Sequence, residues 1–163
     1  MSIPDDLIHN NASYAAGFEK GQLPPQPSRR LAILACMDAR VDVHKILGLE
    51  EGEAHVIRNA GGVVTDDEIR SLAISQHLLG TDEIILIHHT QCGMLAITDE
   101  EFAQRMEQEA GERPTWSAAS FDDIEASVRE SARRIVESPF IPHTEKVHAF
   151  VYEVETGRLR EAE

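Results

Sequence analysis

The sequence predicts an α/β fold: a mostly parallel central β-sheet flanked by helices, with an N-terminal helical arm. Three observations carry this. Residues 31–37 and 83–88 are apolar runs of strand length, the pattern of strands buried on both faces. Thr65 with Glu68, and Thr98 with Glu101, read as capping boxes that open helices after strand-like segments. Strand and helix patterns alternate along the chain, which is how parallel sheets with helical crossovers are written.

Residues 4–20 read as a short helical arm. Three prolines in 22–30 make that stretch an extended linker. The first strand, 31–37, follows, then a short helix over 41–49. A second apolar strand covers 54–57, with 58–62 (RNAGG) as a loop. The Thr65 helix runs to about Leu79, with Ile69, Leu72, Ala73 and Leu79 on one face and Gly80 as its stop. The third strand covers 83–88 and leaves His89 to Cys92 at its end. A helix from Thr98 to about Ala110 and an amphipathic helix over 121–136 come next. Residues 146–154 alternate, with Val147, Ala149 and Val151 on one side and His148, Phe150 and Tyr152 on the other. Thr156-Gly157 is a turn before a last short strand. The whole reads as one domain over 1–163, with 1–30 as arm and linker.

The chain has 163 residues, enough for one domain with a full core. Its 15 basic against 29 acidic residues give a net charge of −14. That balance argues against nucleic acid and against anionic membranes as partners. No apolar run reaches membrane-spanning length, and the first residues lack the order of a secretory signal. The expected compartment is the cytoplasm, where thiols stay reduced and available to metal.

Only two cysteines are present, Cys36 and Cys92, and each sits among residues suited to metal chemistry: Cys36-Met-Asp38-Ala-Arg40 and His89-Thr-Gln-Cys92. Two inert core thiols are the alternative reading, since free cysteine is commonly buried. Both groups end predicted strands, however, and in open α/β sheets ligands bind outside the carboxyl ends of strands. Two thiolates and an imidazole suit Zn²⁺ and leave a fourth tetrahedral position open, the mark of a catalytic rather than a structural site. Such a metal lowers the pKa of a bound water towards ~7. Asp38 is placed to fill the fourth position or to accept a hydrogen bond from that water. Arg40 is placed to clamp the Asp38 carboxylate through a planar, two-bond contact. The pair therefore has an open state, with Arg40 holding Asp38 off the metal, and a closed state, with Asp38 on it. A surface ion pair of little consequence is the bland alternative.

CMDAR, RNAGG and HTQCGM together resemble the signature blocks of the β-class carbonic anhydrases, and the chain is similar to their short bacterial and archaeal members from about residue 28 onward. The resemblance implies zinc-dependent, reversible hydration of CO2 to bicarbonate and a proton. It implies Cys36, His89 and Cys92 as zinc ligands, with one Zn²⁺ per subunit. It makes Asp38 and Arg40 the catalytic pair, with Asp38 as the possible fourth ligand. It also implies a homodimer or homotetramer, the arm embracing the partner. Gly62 stands where many relatives carry Asn.

Two other functions fit the same residues. A hydrolase of carbonyl sulfide or carbon disulfide would keep the fold and the ligands, because those substrates are linear and apolar like CO2. A zinc-binding protein without turnover would keep Asp38 on the metal permanently. Among the remaining histidines, His88 should face away from its neighbour His89 and serve packing or hydrogen bonding. His9, His44, His55, His77, His143 and His148 read as surface residues. Trp116 reads as a loop pin. Arg58 and Asn59 either shape the site or satisfy turn carbonyls.

Overall fold

The structure is a computed structural model that describes residues 3–162. Met1, Ser2 and Glu163, at the ends of the expected 1–163 domain, lie outside the described residues. Among the described residues the elements run α1 (Ile3–Ala16), β1 (Leu31–Cys36), α2 (Val43–Leu47), β2 (Ala54–Asn59), α3 (Asp66–Leu79), β3 (Glu83–His89), a 3₁₀ turn (Gly93–Leu95), α4 (Asp99–Ala110), α5 (Ile124–Val136), β4 (Val147–Tyr152) and β5 (Leu159–Glu161). No helix among them is long and apolar enough to cross a membrane.

The five strands form one sheet in the order β2-β1-β3-β4-β5. All neighbours are parallel except β4 and β5, which are joined by the Thr156-Gly157 turn and run antiparallel. β1 is an interior strand buried at every position, as its unbroken apolar run requires. Alternate residues serve opposite faces. Ala32 and Leu34 of β1 pack with Ile84 and Leu86 of β3 against Leu72 of α3 and Val128 and Ile135 of α5. Ile33 and Ala35 pack with Ile87 against Val41, Val43 and Leu49 around α2. Each fully buried Leu or Ile contributes roughly 1.5–3 kcal/mol relative to exposure. The alternation predicted for 146–154 holds: Val147, Ala149 and Val151 join the first cluster, and Tyr152 joins the second.

Several expected boundaries move. Residues 58 and 59 are not loop: Arg58 and Asn59 extend β2, pairing with Ala35 and Cys36. The last long helix starts at Ile124 rather than 121, because the Asp123 side chain accepts the Ala126 N–H and caps it there. The arm helix ends at Ala16 rather than 20 and buries none of its residues. Both capping boxes form as written, and Gly80 ends α3 in the left-handed conformation.

This topology positions the site. The chain leaves β1 to one side for β2 and returns on the other side for β3. The carboxyl ends of β1 and β3 therefore flank a topological switch point, where open α/β sheets form a crevice.

Candidate metal centre

Cys36 is the last residue of β1, His89 the last of β3, and Cys92 follows three residues later. Their ligand atoms all lie within 4.8 Å of one another, and all three residues are buried. The two sulfurs are 3.9 Å apart, and both cysteines are free. Two sulfurs at about 2.3 Å from one tetrahedral zinc lie ~3.8 Å apart, so the spacing fits.

The histidine makes the stronger test. His89 Nδ1 is 2.8 Å from the Thr90 carbonyl and donates to it. That bond fixes the tautomer and leaves a bare lone pair on Nε2. Nε2 is buried and has no hydrogen-bond partner. A buried acceptor without a partner is costly unless something occupies its lone pair. A metal ligated by Nε2, with the other ring nitrogen bonded to a carbonyl, is the usual arrangement of a ligand histidine. The donor set therefore fits Zn²⁺.

Charge is arranged to match. A proton shared between the thiols stays with Cys92, whose hydrogen bond pushes Cys36 down towards the thiolate; the thiolate in turn pushes Cys92 up. Backbone N–H groups of Asp38 and Gly61 add to the stabilisation of the Cys36 charge. Burial disfavours a cation at His89, but the Cys36 thiolate and the Asp38 carboxylate outweigh it and raise the ring's pKa. A divalent cation would displace these protons and satisfy the same negative charge.

Asp38 and Arg40 stand at the mouth. Arg40 Nε donates to Asp38 Oδ1 at 3.0 Å and a terminal nitrogen donates to Oδ2 at 2.8 Å, a two-bond clamp. The Arg40 backbone N–H adds a bond to Oδ1 at 2.9 Å. The guanidinium holds the Asp38 carboxyl well below the usual carboxylate range. Oδ2 also lies 3.8 Å from His89 Nε2, on the ring edge that faces the metal position.

Asp38 and Arg40 lie past the end of the strand rather than on it. β1 ends at Cys36, so Asp38 and Arg40 are not continued along one strand face. They sit on a turn held by Arg58. That guanidinium donates to the Cys36 carbonyl at 2.8 Å and 3.1 Å and to the Asp38 carbonyl at 2.7 Å. The two readings left open for Arg58 are therefore one: by satisfying turn carbonyls it shapes the site. Asn59 donates to the Val63 carbonyl at 2.7 Å and ties the following loop. Gly62 is forced by close approach. A Cβ there would meet the Cys36 backbone nitrogen at 2.9 Å, at a φ of 71°.

His88 faces away from His89, as expected. It is fully buried, donates from Nε2 to the Gly62 carbonyl at 3.0 Å and stacks on Phe121. Burial pushes its pKa down to about 4. His9, His44, His77 and His143 are exposed, while His55 and His148 are half-buried. Trp116 packs on Phe102 of α4, consistent with a loop pin. One contact left no readable signal in the sequence: Gln91, between the ligands His89 and Cys92, accepts two bonds from Arg40.

An α/β sheet with a two-thiolate, one-imidazole pocket at its switch point and a carboxylate–guanidinium pair at the mouth has the architecture of a zinc enzyme. Comparison with known proteins narrows the class. The carbonic anhydrase family model matches residues 31–159. Beta-carbonic anhydrase 1 of Mycobacterium tuberculosis is 58% identical over 161 residues, spanning 99% of this chain and 98% of that protein. A carbon disulfide hydrolase of Acidianus sp. is 39% identical over 158 residues, covering 82% and 77%. A solved carbonic anhydrase from Streptococcus mutans superposes with a TM-score of 0.94 at 43% identity, covering 100% and 99%. The chain belongs to the carbonic anhydrase family, in its β class.

Proposed function

We propose that this protein catalyses the zinc-dependent, reversible hydration of CO2 to bicarbonate and a proton. The observation that carries the reading is the bare, buried Nε2 of His89 converging with two cysteine sulfurs. Cys36, His89 and Cys92 hold the metal in this reading, and Asp38 is the exchangeable fourth ligand. Zinc, when bound, supplies the acidity that makes water nucleophilic near neutral pH. The chain's own residues do the rest. Arg40 holds Asp38 off the metal, where a remaining lone pair of its carboxylate can accept a hydrogen bond from the incoming water. Arg58 keeps the turn that carries both Cys36 and Asp38 in register with β3.

Asp38→Ala should retain zinc through three ligands but lower turnover. Cys92→Ser should instead lose zinc. Metal content by elemental analysis, read beside turnover, separates the two roles. An Asp38→Ala protein with full activity would remove the residue from the mechanism.

Carbon disulfide and carbonyl sulfide are the competing substrates, motivated by the Acidianus relative. The 58% identity to a β-carbonic anhydrase across nearly the whole chain favours CO2. Turnover of CO2 and of carbonyl sulfide by one zinc-loaded preparation decides between them. A sulfide rate exceeding the CO2 rate would reverse the assignment. A non-catalytic zinc protein is disfavoured by the Asp38–Arg40 clamp, which keeps the carboxylate engaged away from the ligands.

The working form is an oligomer, a homodimer or a pair of dimers. The arm supports this: Ile3, Leu7, Ile8, Tyr14, Phe18 and Leu23 are exposed, and an amphipathic helix that buries nothing in its own chain is poised to bury it in another. The compartment is the cytoplasm, where two free thiols remain reduced for metal.

A further inference from the structure

We infer that Gln91 and Glu155 are positioning residues that anchor Arg40 in the state that keeps Asp38 off the metal. The inference rests on the gate proposed above and adds to it the device that biases it.

The Arg40 guanidinium has two working edges, and both are occupied. One edge clamps Asp38. The other meets Gln91: a terminal nitrogen donates to the Gln91 side-chain oxygen at 3.3 Å, and another donates to the Gln91 backbone carbonyl at 3.1 Å. Gln91 reaches Arg40 with both groups because its φ is +54°, a left-handed conformation uncommon for a residue with a Cβ. A strained conformation of this kind persists only where its surroundings hold it.

Glu155 supplies the holding contact from the corner between β4 and β5. It accepts from the Gln91 side-chain amide at 2.6 Å and from the Thr90 hydroxyl at 2.7 Å. Thr90 Oγ1 in turn accepts the Val154 N–H at 3.0 Å. The Gln91 side chain is thus polarised in one sense: its N–H donates to a carboxylate, which leaves its oxygen aimed at the guanidinium. Glu155 also acts on Arg40 directly through its charge. The result is a relay, Glu155–Gln91–Arg40–Asp38, that runs from a sheet corner to the gate.

Without the anchor, Arg40 is a long side chain that must lose its own rotamer freedom to hold Asp38. Asp38 then spends more time on the metal. An exposed charge-assisted bond of this kind shifts a two-state ratio by about three- to tenfold.

The test reads the metal's coordination rather than activity alone. Cobalt-loaded wild type, Arg40→Ala, Gln91→Asn and Glu155→Ala are compared by X-ray absorption and visible absorption at one pH, with and without an added anion. Asparagine tolerates the left-handed backbone but is too short to join Arg40 to Glu155. Arg40→Ala tests the gate and should give a carboxylate-ligated metal whose spectrum no longer responds to the anion. Gln91→Asn and Glu155→Ala should move the same way, each raising the ratio of closed to open sites by about three- to tenfold, with metal content unchanged. Glu155→Gln keeps one acceptor oxygen for the Gln91 amide and loses the charge and the second acceptor, so it should fall between wild type and Glu155→Ala in the ratio of closed to open sites. If Arg40→Ala still responds to the anion as wild type does, the gate reading falls and the anchor with it. If Arg40→Ala closes while both anchor variants match wild type, the gate stands and the anchor is overturned.

Discussion

At the scale of single residues, the site depends on contacts that leave no slack. Gly62 lies against β1, and Gly62→Ala would place a Cβ 2.9 Å from the Cys36 nitrogen at a left-handed φ. That change should cost roughly 2–4 kcal/mol and displace a metal-site cysteine. Lower zinc content together with a lower denaturation midpoint is the expected result. Wild-type stability would contradict the close approach. His88 gives a prediction with a pH sign. Its folded pKa is depressed to about 4 from the ordinary 6.5. The unfolded chain therefore takes the proton more readily, so stability is complete above pH 6.5 and falls as pH drops towards 4. Between pH 7 and 5 the loss traceable to this ring is about 2 kcal/mol. His88→Gln should flatten that part of the profile by the same amount, in denaturant unfolding of the two proteins side by side.

At the scale of elements, helix starts were legible because their signals are local. Thr65 with Glu68, and Thr98 with Glu101, form the boxes their spacing spells. Thr98→Ala should lower stability by about 1 kcal/mol. It should leave zinc binding intact, since α4 buries none of its residues and contributes none to the Cys36, His89 and Cys92 group. A loss of metal in that variant would tie α4 to the site in a way the structure does not show. Strand ends were less legible. Arg58 and Asn59 are polar and precede two glycines, so they read as loop, yet their pairing with Ala35 and Cys36 extends β2. That pairing is a long-range fact, absent from any local window. The candidate ligands were readable because the chain has only two cysteines and each stands among other metal-binding residue types. Gln91 and Glu155 were not, because 64 positions separate them and neither residue type announces a role.

At the scale of the molecule, the sheet's strand order gathers the two halves of the site. β1 and β3 end side by side because the chain crosses from one side of β1 to the other. Cys36 therefore meets Cys92 across 56 positions of sequence, with His89 beside them. The same scale shows what one chain leaves unfinished. α1 has no buried residue, and apolar side chains line its surface. If α1 mediates the proposed oligomer, a chain without residues 1–16 should be a monomer in light scattering, with zinc content unchanged. A truncated chain that keeps the wild-type mass would place the interface elsewhere.

The central claim is that this pocket hydrates CO2 with zinc held by Cys36, His89 and Cys92. Stopped-flow CO2 hydration by the zinc-loaded protein, from pH 6.5 to 9, tests it most directly. The account predicts a rate that rises with pH through a single inflection. A protein with one zinc per chain and no hydration anywhere in that range would contradict it.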